Sequence, residues 1–171
     1  MGPTLASGDQ LRWRPDRRWA PRCHLLDDSA GDRLAILRGH KEILIDSRSF
    51  SLSGRPFARS RKFIDPDGQS TEVGVWGLKR QPVTITLASG HTFRCANQRD
   101  PGHWRKSSLT VTDQAERPAL RLSWIPAERV LGIQQYDCRA DIDGVNRGDE
   151  PVLVVCLAFL LFLESIGGGG G

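Results

Sequence analysis

The chain has 171 residues, 39% hydrophobic and 26% charged, a balance that suits one domain with a sizeable core and excludes disordered and fibrous classes. It carries 24 Lys and Arg against 20 Asp and Glu, for a net charge of +4, and its pI is near 9.2. That mild excess permits partners that bear phosphate, such as lipid headgroups or nucleic acid, but compels neither.

Residues 1–22 hold Arg12, Arg14, Arg17, Arg18 and Arg22 against Asp9 and Asp16, with three prolines. This segment reads as a basic, loosely structured tail that Trp13 and Trp19 can tack onto the domain. No apolar stretch follows the start, so no secretory signal is expected. The widely spaced Cys23, Cys95, Cys138 and Cys156 then read as reduced thiols of a cytoplasmic protein.

From residue 22 onward the hydrophobic period is two. Val83, Ile85 and Leu87 alternate with Thr84 and Thr86; Leu109 and Val111 alternate with Ser108, Thr110 and Thr112; Leu120, Leu122 and Trp124 alternate with Arg121 and Ser123. Such alternation gives a strand one dry and one wet face. It predicts strands over 22–26, 33–38, 42–52, 59–65, 72–78, 83–87, 91–96, 106–112, 118–124 and 131–138. Turn chemistry separates them at Asp27–Asp32, Asp65–Gly68, Ala88–Gly90 and Asp113–Glu116. Many short strands at this spacing predict a sandwich or barrel of antiparallel hairpins.

The pattern breaks at Pro151. From Val152 to Leu163 twelve apolar residues follow without interruption, and the Gly167–Gly171 run then reads as a flexible tail. Asp149 or Glu150 can cap a helix here, Pro151 suits its first turn and Gly167 its end, which predicts a helix over 151–165. Twelve apolar residues rise about 18 Å as a helix, whereas a bilayer core takes about 20 residues. No transmembrane span is therefore expected. A helix that is hydrophobic all round and too short to span belongs inside the protein. The expected fold is mainly β, a closed antiparallel barrel of roughly 10–12 strands around a central hydrophobic C-terminal helix.

A hairpin-rich chain whose last strand begins at Leu131-Gly-Ile-Gln134, followed by an acidic loop and the apolar helix Pro151–Ser165, resembles the tubby C-terminal-like superfamily. That group includes the LURP-one-related proteins and the phospholipid scramblases. The resemblance covers most of residues 23–166, taken as one domain, and implies a β-barrel around a hydrophobic helix. It implies no binding residue position by position, and the palmitoylated cysteine cluster and proline-rich region of animal scramblases are absent.

Catalytic motifs are missing: there is no Gly-x-Ser-x-Gly elbow, Gly-x-Gly-x-x-Gly, P-loop or His-Glu-x-x-His, so the expectation is a non-enzymatic protein without a cofactor. His91 and Cys95 are four apart. On a strand they share a face at about 13 Å, too far to chelate one zinc ion together. The acidic loop Cys138–Glu150 offers Asp141, Asp143, Asp149 and Glu150 as candidate calcium ligands. Asp141 and Asp143 fit the first and third EF-hand positions, but Val145 falls where a ligand should stand and Asn146 where the turn glycine should.

The sharpest pattern is basic. Arg55-Pro-Phe-Ala-Arg-Ser-Arg-Lys62 places four cations and no acid in eight residues, Lys79 and Arg80 follow a predicted strand, and Arg105 and Lys106 follow His103-Trp104. Arg55, Arg59, Arg61, Lys62, Lys79, Arg80, Arg105 and Lys106 are thus candidate lipid- or anion-binding residues. They point to a peripheral contact with anionic phospholipid, and the family resemblance implies a scramblase-like protein. The alternatives are a protein-interaction or scaffold module and, ranked third, a nucleic-acid-binding barrel. An RNP-like motif and a zinc knuckle are both lacking.

Overall fold

The computed structural model describes residues 10–15, 23–28, 30–39, 41–53, 60–75, 81–99, 107–126, 136–142 and 150–167. Among these the chain is mainly β, a single antiparallel sheet followed by one C-terminal helix. The strands are β1 (Gln10–Pro15), β2 (Cys23–Asp27), β3 (Arg33–Arg38), β4 (Glu42–Ile45), β5 (Arg48–Ser53), β6 (Ser60–Ile64), β7 (Ser70–Gly74), β8 (Val83–Thr86), β9 (Thr92–Arg99), β10 (Ser107–Thr112), β11 (Pro118–Pro126) and β12 (Tyr136–Ile142). The helix α1 runs from Glu150 to Gly167.

From β2 to β12 each strand pairs with the next. β1 pairs on one side with β12, Trp13 standing opposite Tyr136, and on the other with β2, Trp13 standing opposite Leu26. Alternation sorts the side chains. On β8, Val83 and Ile85 are buried while Thr84 is exposed; on β7, Thr71 and Val73 are buried while Ser70 and Glu72 are exposed. The buried sides of the strands, with Ile43, Ile45, Phe63, Ile85, Phe93, Leu109 and Val111, form one cluster with α1 residues Val152–Phe162. Every residue from Val152 to Phe162 is 5% exposed or less. The all-round apolar helix is accordingly covered on all sides, as its sequence demands. Among the described residues no helix is long and apolar enough to cross a membrane.

Three expected elements change. Gln10–Pro15, within the stretch read as a loose tail, forms β1, because Leu11 and Trp13 alternate with Arg12 and bury themselves in the core. The single strand expected over 42–52 is two, β4 and β5, joined through Asp46 and Ser47. Asp46 has a φ of 52°, the left-handed conformation a two-residue hairpin needs and Asp tolerates. The seventh strand occupies Ser70–Gly74 rather than 72–78. Of the expected last strand over 131–138, residues 131–135 lie outside the described residues, and β12 extends to Ile142.

Candidate functional site

Strict antiparallel succession gives the sheet two rims. The connections after even-numbered strands lie at one rim, and those after odd-numbered strands lie at the other.

Four hairpin turns of the even-strand rim share one backbone geometry. In the β2–β3, β6–β7 and β10–β11 hairpins an aspartate opens the turn: Asp28, Asp65 and Asp113. Its backbone N–H donates to the carbonyl four residues on, Asp32, Gln69 and Arg117 respectively. Its Oδ1 accepts from two backbone N–H groups, at 2.8–2.9 Å for Asp65 and at 2.8 and 2.9 Å for Asp113. Gly31, Gly68 and Glu116 take positive φ at the fourth position. The β8–β9 turn has the same backbone pattern, with Leu87 in place of the aspartate and Gly90 at the positive φ. These are Asx turns, in which a short carboxylate satisfies backbone donors that the reversal leaves without strand partners. The bonds from the Arg117 and Ala115 backbone, with the Arg117 guanidinium alongside, hold the Asp113 carboxyl below its ordinary range. Arg48 reinforces the rim by bonding Asp65 at 2.9 Å and Asp67 at 3.2 Å.

The odd-strand rim has a different sequence character. The stretches that join its strand ends are 16–22, 39–41, 54–59, 75–82, 100–106 and 127–135. Together they contain eleven Lys or Arg and three Asp or Glu. The stretches at the other rim, 28–32, 46–47, 65–69, 87–91, 113–117 and 143–149, contain two Lys or Arg and nine Asp or Glu. The two ends of the sheet therefore carry opposite charge.

The eight candidate cations divide accordingly. Arg55, Arg59, Lys79, Arg80, Arg105 and Lys106 lie outside the described residues, although each belongs to a stretch that joins strands at the basic rim. Lys62 is exposed on β6 and stands opposite Glu72 of β7. Arg61 corrects the expectation of a surface cation. It is in phase with Phe63, points inward and is only 6% exposed. There its guanidinium forks onto the Glu164 carboxylate of α1: Nη1 donates to Oε1, and Nη2 donates to Oε2 at 3.1 Å. The last turn of α1 has no basic residue of its own. Arg61 supplies the cation that the helix C-terminus and its glutamate favour. This contact, 103 residues apart in sequence, fixes the polarity of α1: its C-terminal end lies at the basic rim.

Of the calcium candidates, Asp141 lies on β12 in register with Arg121 and Glu150 opens α1. Asp143 and Asp149 lie outside the described residues. Among the described residues no group of three or more His, Cys, Asp or Glu side chains could hold a metal ion. His91 is exposed and shares a 3.1 Å hydrogen bond with Ser89 in its turn. Cys95 is fully buried beside Phe93 on the inner face, where desolvation pushes its thiol up to about 12. Burial pushes the Cys156 thiol of α1 up as well. Neither thiol has the ionised character that nucleophilic chemistry uses.

No protein-family model matches the chain. Neither a curated protein nor a solved structure matches it.

Proposed function

We propose that the sheet works as a closed barrel with α1 as its pillar, in the manner of the tubby C-terminal-like architecture, and that its basic rim makes a peripheral contact with anionic phospholipid. The pairing of β1 with both β2 and β12 supports closure. The single observation that carries the lipid reading is the segregation of charge: connections after odd-numbered strands are cationic and those after even-numbered strands acidic. A dipolar body of this kind meets an anionic bilayer end-on. Each Lys or Arg near such a surface contributes about 1 kcal/mol, and three or four give detectable, salt-sensitive binding. The acidic rim is repelled and fixes the orientation.

Flotation with vesicles of neutral lipid, with and without anionic phospholipid, tests the proposal at low and high salt. Association only with anionic vesicles, weakening as salt rises, is expected. Reversing Arg55, Arg59, Lys79 and Arg80 to Glu should abolish it. Absence of association at low salt sinks the lipid reading. Capture of one defined protein partner that survives detergent, by a chain that ignores vesicles, favours an interaction module instead.

A further inference from the structure

Among the described residues the buried polar side chains Asp27, Asp65 and Thr71 lie toward the acidic rim and Arg61 toward the basic one. Three buried polar atoms find no hydrogen-bond partner among the described residues: Trp13 Nε1, Arg61 Nε and Asn97 Oδ1. Trp13 is the fourth of six residues in β1, Arg61 the second of five in β6 and Asn97 the sixth of eight in β9. Each therefore sits in the half of its strand nearer the basic rim. Buried polar atoms are ordinarily satisfied, so three without protein partners on one side of the core single that region out.

Arg61 is the informative one. A guanidinium presents five N–H donors in a planar fork. Glu164 is held end-on by Nη1 and Nη2, which leaves the Nε edge of a side chain that is more than nine-tenths buried. An oxyanion on that edge would share the guanidinium with Glu164, whose carboxylate neutralises the cation and repels a second anion. We infer that the Nε edge of Arg61 is a binding site for one oxygen of a phosphate group, with Glu164 as its built-in competitor. The inference rests on the reading of this rim as phosphate-facing, and it names the residue at which that contact is regulated.

Removing the competitor and removing the receptor have opposite effects. Thermal unfolding of the whole chain is followed in inorganic phosphate and in chloride at matched ionic strength. Glu164→Gln should bind phosphate at least about tenfold more tightly than the wild type, read as a larger rise in Tm at each phosphate concentration. Arg61→Gln should lose the phosphate-specific rise. A purely structural ion pair predicts that both variants lower Tm and neither changes the response to phosphate, and that result overturns the site. Should Glu164→Gln not fold, Glu164→Asp draws the carboxylate back by one methylene and carries the same expectation at smaller size. An unchanged response there is equally fatal.

Vesicles containing anionic phospholipid form the second arm. Tighter vesicle binding by Glu164→Gln assigns the oxygen to a lipid headgroup. A phosphate response with unchanged vesicle binding assigns it to free phosphate. Wild-type chain that ignores vesicles while Glu164→Gln responds to phosphate overturns the lipid reading and leaves the site.

Discussion

The two rims of the sheet solve the same problem, reversing an antiparallel strand, by different means. The acidic rim uses short turns whose aspartates are spent on the backbone: Asp28, Asp65 and Asp113 each accept two main-chain N–H bonds. The basic rim uses longer stretches of sequence, up to nine residues between β11 and β12, and it carries the surplus Lys and Arg. Three carboxylates at the acidic end are thus structural reagents. A charge with a local structural job is poor grounds for inferring a ligand. Arg61 makes the same point from inside the core, since it belongs to the densest basic run and yet serves α1.

The comparison breaks most severely if the column between the rims fails. Leu157 is fully buried in the middle of α1, so Leu157→Asp is expected to abolish folding, seen as loss of soluble protein and of the cooperative unfolding transition. Next in size is Arg61→Met, which removes the guanidinium fork from the part-buried Glu164 carboxylate. It should cost about 3 kcal/mol in chemical denaturation, while Arg61→Met with Glu164→Met should recover most of that loss. On the acidic rim, Asp65→Ala deletes two backbone bonds and the Arg48 pair together, for a loss of about 2 kcal/mol.

A smaller effect appears with pH. The Asp113 carboxyl sits below its ordinary value of 3.8 when folded, so its contribution is complete above that value and is lost as pH falls through the folded one. Asp113→Asn should therefore lower the neutral part of a stability–pH curve and flatten its acid limb, the variant and the wild type converging as pH falls. The smallest expected change is a gain. Glu116 has a φ of 59° where Gly31, Gly68 and Gly90 stand in the sister turns, and Glu116→Gly should raise stability by about 0.5 kcal/mol.

Much of this fold is written locally. Val83-Thr-Ile-Thr86 and Ser107–Thr112 announce strands by period, the Asp and Gly positions announce the turns, and the run after Pro151 announces a helix that ends within two residues of its expected limits. β1 escapes because its alternation spans only Leu11 to Trp13 and is set among arginines and prolines. The β4–β5 turn escapes because Asp46-Ser47 has neither glycine nor proline to mark it. At the candidate site, the spacing of Arg61, Lys62 and Phe63 does contain a clue, since only Arg61 shares a face with the aromatic. What lies beyond any local pattern is its partner. Glu164 is one of many acids until the sheet brings β6 against the end of α1.

The stacking of Trp13 on Phe159, with ring centroids 4.0 Å apart and planes within 6°, has a practical corollary in light. An indole sealed at 0% exposure against a helix ring emits as a dry chromophore, and departure of β1 from its neighbours would wet it before the rest of the sheet need unravel. Its emission, isolated by replacing the other four tryptophans with phenylalanine, would thus time the opening of the seam between β12 and β2 separately from loss of the whole fold.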